Sequence, residues 1–210
     1  MARRNDHNRN EISDLALVAA EKIILEQGPE GLSTRKIATK IGYTVGTLYL
    51  LFENLDELII QINARTLDRL HLLITDLARQ QLAHQDRLTQ LAQIYIHFAY
   101  GDPHRWTLIF EHHLPNRQPM PGWYVEKTMR VFAVVEASLK PLAPHRNERE
   151  ISQAACALWA GIHGICILGI TNKLGHVGED IVQDLAKSLM VSYLYSYTNH
   201  QAWPITVGAI

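Results

Sequence analysis

Residues 32–58 read LSTRKIATKIGYTVGTLYLLFENLDEL, from Leu32 to Leu58. Two short helical patterns stand here with only a few residues between them. Ser33 is suited to cap a helix that begins at Thr34. Leu32 before the cap and Ile37 at the fourth helical position have the spacing of a hydrophobic staple. Gly42 fits the place just past a helix end, where a left-handed backbone costs glycine little. Thr44 then caps a second helix, and Tyr43 and Leu48 repeat the staple. Two capped helices joined by so tight a turn make a helix-turn-helix. Ala38 is small where the two must cross, and Ile37, Ile41, Leu48 and Phe52 are expected to face inward onto a preceding helix. The second helix is too short, and too polar on its other face, to be core.

Charge agrees with this locally. Ser33 to Phe52 holds Arg35, Lys36 and Lys40 and no acidic residue, a local +3 in a chain of 210 residues whose net charge is −1. The protein as a whole is therefore no polycation, and a nucleic-acid role must rest on a patch. Arg3, Arg4 and Arg9, against Asp6 alone, add a basic arm. Phosphate neutralisation needs such charge on the docking face.

The remainder is helical throughout, so the fold class is all-α. A first helix is expected over Asn10–Gln27, with Ile12, Leu15, Ala16, Ala19 and Ile23 on its buried stripe, ended by Gly28-Pro29. After Ser33–Ile41 and Thr44–Phe52 come longer patterns over Asp56–Leu82 and Arg87–Tyr100. Pro103 opens a helix that ends before Pro115, and LPNRQPMPGW is a loop. Tyr124–Leu139 is helical until Pro141 and Pro144 break it. Asn147–Leu174 and Glu179–Tyr197 follow, and the tail TNHQAWPITVGAI has no clear period. Helices are short before Asn54–Asp56 and long after it. This divides the chain into 1–55 and 56–210, with the long helix expected to join the two rigidly.

The opening stretch resembles the DNA-binding segment of the TetR family of transcriptional regulators. Thr34-Arg35, Ile37-Ala38, Gly42, Thr44, Gly46-Thr47, Leu48-Tyr49, Phe52, Asn54 and Glu57-Leu58 carry the likeness. Leu55 departs from it, standing where the family usually has a phosphate-touching lysine. Leu50 and Leu51 stand where an aromatic residue or histidine is common, which makes the reading surface less polar. The resemblance implies that Thr44 to Leu50, including Val45, enter the major groove. Thr34 and Tyr49 would bind phosphate through their hydroxyls. Arg35 would reach a phosphate or a guanine edge, where its fork bonds two acceptors. Thr47 would bond a base or touch a thymine methyl, and Gly46 would let the backbone approach. Double-stranded operator DNA is the partner so implied.

Farther on, ALWAGIHGI is similar to the Trp-His-Gly signature of one class of TetR C-terminal domains, in Trp159, His163 and Gly164. HRWTLIFEHHLP resembles the segment that accompanies it. An effector of unknown chemistry is implied. Tyr95, Phe98, Trp106, Phe110, Trp123, Trp159, His163 and Cys166 are candidates to line its cavity, because ligand pockets are apolar with a few polar groups. An aromatic stripe is nevertheless core more often than pocket.

Ile151–Asn172 carries no formal charge. A bilayer span of that length is disfavoured by Ser152, Gln153, His163, Thr171 and three glycines, so no membrane partner is expected. Ala154, Ala155, Leu158, Ile162, Ile165 and Gly169 on one helix, with Leu185, Leu189, Ser192 and Ser196 on the next, are expected to meet a second copy in a four-helix bundle. A dimer also suits operator reading, whose recognition helices stand about 34–36 Å apart. Cys156 and Cys166, ten positions apart on one helix, lie roughly 15 Å from each other and cannot pair. Reduced thiols, with no apolar leader at the N-terminus, point to the cytoplasm. Eleven histidines do not make a metal site, because His112 and His113 are adjacent and His97 and His104 lack ligand spacing. No cofactor motif and no catalytic constellation is present. The expectation is a dimeric repressor, not an enzyme, released from a palindromic operator by a small molecule. The rival is a helical small-molecule-binding or enzymatic protein that has lost DNA recognition.

Overall fold

A computed structural model describes residues 8–175 and 177–199. Arg3 and Arg4 of the expected basic arm, and most of the apolar tail, lie outside those residues. The fold is all-α, with nine α-helices and no strand among the described residues. They are α1 (Arg9–Gln27), α2 (Thr34–Ile41), α3 (Val45–Tyr49), α4 (Leu55–Ala78), α5 (His84–Gly101), α6 (Pro103–Glu111), α7 (Gly122–Leu139), α8 (Glu148–Ile170) and α9 (Glu179–Asn199). Proline-containing single turns at Pro115–Arg117 and Lys140–Leu142 fill the expected breaks.

Local chemistry sets most of these ends. Asn8 accepts from Glu11 N–H while the Glu11 carboxylate accepts from Asn8 N–H, a capping box that starts α1. Asn147 and Glu150 start α8 in the same way. Asp102 caps α6 ahead of Pro103, whose missing N–H needs no partner in a first turn. At the end of α1, Gly28 adopts φ 75°, which side-chain-bearing residues avoid.

Packing divides the chain elsewhere than at the expected 55/56 boundary. Residues up to Leu70 with Gly101–Thr128 form one compact unit, and His71–Tyr100 with the chain from Met129 form another. In the first unit, α1 lies on α2 and α6, and α2 on α3. Ala16, Leu17, Ala20, Ile23 and Ile24 of α1 meet Ile37, Ala38, Leu48 and Phe52, all buried, with Ile41 packed at the edge. Burying each large aliphatic side chain contributes about 1.5–3 kcal/mol. The expected α1 stripe is corrected at two places. Ile12 is only half-buried. Leu15 is exposed and Leu17 takes the core position, because the buried arc is centred on Ala16, Ala20 and Ile23.

In the second unit, α8 packs against α9. The contact is close because glycine stands in it. A methyl at Gly161 would come within 2.6 Å of Leu189, and one at Gly169 would collide with the Tyr100 hydroxyl and with Val182. This corrects the expected second-copy surface. Ala154, Ala155, Leu158, Ile162 and Gly169 are buried within the chain itself. The outward side of α8 holds Cys156, Ala157, Ala160 and Leu168 instead. By length and composition α8 alone among the described helices could cross a membrane, with a mean hydropathy of 1.6.

Candidate nucleic-acid interface

The turn between α2 and α3 is fixed by four hydrogen bonds, all local. Ser33 Oγ accepts from Lys36 N–H at 3.3 Å and begins α2. Gly42, at φ 76° and ψ 29°, ends it. There Tyr43 N–H donates to Ala38 O at 3.0 Å and Gly42 N–H to Thr39 O at 3.2 Å, the paired bonds of a Schellman end. Thr44 Oγ1 accepts from Thr47 N–H at 3.2 Å and begins α3.

Helix α3 is shorter than its sequence pattern, five residues rather than Thr44–Phe52. Leu50 closes it by donating to Gly46 O at 3.2 Å, and Phe52 N–H donates to Leu48 O at 2.8 Å in the turn that follows. Leu48 and Phe52 stay plugged into the core, so burial rather than helix length holds the segment in place. Val45 also packs partly against that core. On the other side, Arg35, Thr44 and Gly46 are exposed, and Thr34 and Thr47 are half-buried. Tyr49 and Leu50 are 55% and 75% exposed. The candidates from Thr34 to Leu50 thus share one surface element, whose outer side is unburied within the chain.

The local +3 is not all available. Lys40 Nζ lies 3.2 Å from a Glu26 carboxylate oxygen. Lys36 Nζ donates to Gln27 Oε1 and to Gly31 O, both at 2.8 Å, and so ties α2 to the end of α1. Arg35 makes no hydrogen bond or ion pair with the described residues, and its guanidinium stands free. Arg9 Nη2 donates to Leu50 O at 2.8 Å, joining the start of α1 to the end of α3. Leu55, in the family's lysine position, is partly buried against the core. The start of α4 is held instead by Asn54 Oδ1, which accepts from Glu57 N–H at 2.8 Å.

This surface belongs to a recognisable whole. Residues 16–62 match the bacterial regulatory proteins of the tetR family, and residues 88–193 match the tetracyclin repressor-like C-terminal domain. The chain belongs to the TetR family. It is a DNA-binding transcriptional regulator with a helical C-terminal ligand-binding domain. The C-terminal match spans Trp159, His163 and Gly164, consistent with the Trp-His-Gly class. No curated protein sequence matches the chain. Solved structures share the TetR fold at low identity. A protein of unknown function from Rhodococcus sp. RHA1 is 18% identical, with a TM-score of 0.75 over 93% of this chain and 98% of its own. A TetR-like regulator from the same organism is 19% identical, with a TM-score of 0.61 over 90% and 98%. FadR from Bacillus subtilis, in complex with stearoyl-CoA, is 17% identical, with a TM-score of 0.62 over 89% and 97%.

The eight cavity candidates of this TetR-family chain fall into two groups. Trp106, Phe110 and Trp123 belong to the first compact unit. Trp106 is 1% exposed and meets the half-buried Phe110 edge to face at 5.3 Å. Trp123 is exposed and lines an open 600 Å³ groove with Asp14, Arg65, Asp68 and Lys127, where Arg65 pairs with Asp14 and Lys127 with Asp68.

Tyr95, Phe98, Trp159, His163 and Cys166 belong to the second unit. Three of these interact directly. Tyr95 Oη lies 2.9 Å from His163 Nδ1, and the Trp159 ring is tilted over His163 at 5.2 Å. Phe132 extends the stack, edge to face with Trp159 at 5.5 Å, and no local sequence pattern marks it. Burial holds the His163 pKa below its ordinary value, favouring the neutral ring. Cys166 is buried, and burial with Glu179 nearby pushes its thiol up to about 12. None of the eight lines the open 610 Å³ groove bordered by Gln85, Gln93, Lys187, Val191 and Tyr195.

The polar ties of the first unit are invisible to sequence reading. Glu21 of α1 receives Arg69 of α4 at 2.9 Å and Arg105 of α6 at 3.4 Å, and Arg105 also pairs with Asp102. Asn63 of α4 is fully buried and donates to Leu108 O of α6 at 3.1 Å. Partners 45 to 84 positions apart leave no trace in local spacing.

Proposed function

We propose that this chain is a homodimeric repressor that binds a palindromic operator through the outer side of α2 and α3 and is released by a small-molecule effector. The observation that carries the reading is the two-sidedness of α3. Leu48 is buried while Tyr49 and Leu50 beside it are exposed on a fixed backbone. Thr34 and Tyr49 hydroxyls bind phosphate, Arg35 reaches a phosphate or guanine, and Thr44, Gly46 and Thr47 approach base edges. Residues 1–55 carry DNA recognition, and 56–210 carry effector binding and dimerisation.

The dimer forms through the last two helices. From Ile151 onward the outward side of α8 is uncharged, and α9 exposes Ile181, Leu185, Val191 and Tyr195. Two such pairs make a four-helix bundle, and burial there rather than in a membrane accounts for the apolar α8. The effector is a molecule with a substantial apolar part. That FadR carries stearoyl-CoA supports this kind of ligand. Tyr95, Phe98, Trp159, His163 and Cys166 are the residues assigned to it, with neutral His163 as the polar anchor. Release follows if the effector prefers a conformation in which α4 is tilted, since a ligand shifts an equilibrium only by its differential affinity. The ties from α4 to α1 and α6 through Glu21 and Asn63 carry such a tilt to the reading helices. The reading assigns the protein to the cytoplasm and gives it no catalytic role.

Selection of bound duplexes from a random-sequence DNA pool tests the reading. Enrichment of a palindrome with half-sites one helical turn apart supports it, and recovery of no sequence preference contradicts it.

A further inference from the structure

The reading helix offers an unusual set of groups. From Thr44 to Leu50 there is no arginine, lysine, asparagine, glutamine or acid. Those are the side chains that bond bidentately to guanine or adenine, or accept from cytosine. The two threonine hydroxyls are partly engaged already, 3.0 Å from each other with Thr44 Oγ1 also capping the helix. What the face presents most openly is Leu50, an aliphatic side chain three-quarters exposed. It contributes nothing to the core that Leu48 and Phe52 fill. Its backbone is nevertheless pinned at both polar atoms: its N–H donates to Gly46 O, and its carbonyl accepts from Arg9. A fixed apolar group on a surface that lies against base edges has one apolar counterpart in the major groove, the thymine 5-methyl group.

We infer that Leu50 is a specificity-determining residue that reads a thymine methyl, so that each operator half-site carries thymine opposite the end of α3. Arg35, the only guanidinium from Ser33 to Phe52, supplies the fork for guanine. Within Thr44–Leu50 itself, recognition rests on methyl contact rather than on bidentate hydrogen bonding. The inference rests on the operator-binding reading above.

The experiment uses the full-length protein and duplexes enriched from a random-sequence pool. These are resynthesised with deoxyuridine in place of thymidine, one position at a time, which removes the methyl and nothing else. One thymidine per half-site is expected to matter, each replacement weakening binding about fourfold, the factor for one buried carbon. Leu50→Ala should bind the thymidine and deoxyuridine duplexes alike, while Leu50→Met keeps the discrimination. The thermal midpoints of both variants should match the parent, since the side chain is exposed. Equal binding of both duplexes by the parent protein at every position overturns the inference while leaving operator binding intact. So does full discrimination retained in Leu50→Ala. A protein that enriches no duplex contradicts the operator-binding reading itself.

Discussion

The Arg9 guanidinium donates a 2.8 Å hydrogen bond to the Leu50 carbonyl, so the first turn of α1 holds the residue that caps the reading helix. The two are 41 positions apart and both are exposed. Such a bond contributes about 1 kcal/mol. Arg9→Ala should therefore weaken binding to a selected duplex by up to about fivefold for each half-site, at that same magnitude. The thermal midpoint should fall by about 2–4 °C, the shift for ~1 kcal/mol in a chain of this size, while the affinity for a scrambled duplex should hardly change. Titration by fluorescence anisotropy against both duplexes distinguishes this positioning role from direct phosphate binding, whose removal would weaken both equally.

Arg35 and Lys40 are neighbouring basic groups with different freedom. Arg35 stands free, whereas Lys40 is ion-paired with Glu26. Arg35→Ala should lower operator affinity and flatten the plot of log affinity against log salt by about one unit for each phosphate no longer neutralised. Lys40→Ala should change the slope less. Equal slopes for Arg35→Ala and the parent would remove Arg35 from the docking surface.

Gly169 lets α8 approach its neighbours. A methyl there meets the Tyr100 hydroxyl and comes within 2.6 Å of Val182. Overpacking costs about 1–3 kcal/mol, against roughly 0.5–1 kcal/mol gained from helix propensity. Gly169→Ala should lower the thermal midpoint by several degrees, and Tyr100→Phe in the same chain should restore part of it. A midpoint unchanged by Gly169→Ala would mean that the packing at this glycine is slack.

Two histidines give acid sensitivity of predictable sign. Burial lowers the pKa of His163, and burial lowers that of His112 despite the opposing pull of Asp56. A histidine whose folded pKa is depressed contributes its full stability above the ordinary value near 6.5 and loses it as pH falls through the lowered value. Chemical denaturation should thus show stability falling from about pH 7 to pH 5, within the range where histidine titrates. His163→Gln should flatten that fall. An equally steep fall in the variant would assign the sensitivity to other groups.

How much of the fold and site is legible in the sequence follows from the range of the interactions. Ser33, Gly42 and Thr44 are legible because capping and left-handed turns act within four residues. The extent of α3 is not, because Leu48 and Phe52 face the core whether or not the helix continues between them. The stripe on α8 is plainly apolar, but a stripe does not say what covers it, and α9 of the same chain packs against this helix. Residue type nominates the eight cavity candidates, and type cannot separate the edge-to-face pair Trp106–Phe110 from the Tyr95–His163–Trp159 group. Phe132, Arg9 and Glu21 act through distant partners, and nothing nearby in the sequence marks them.

The most direct test of operator reading by α3 is the affinity of the full-length protein for a duplex selected from a random pool, measured for the parent and for Tyr49→Ala. Tyr49 projects from α3 without supporting the core, so its removal should spare folding and weaken binding at least tenfold, the scale of one hydrogen bond to phosphate given up in each of two half-sites. Undiminished binding by a folded Tyr49→Ala protein would show that DNA meets some other surface.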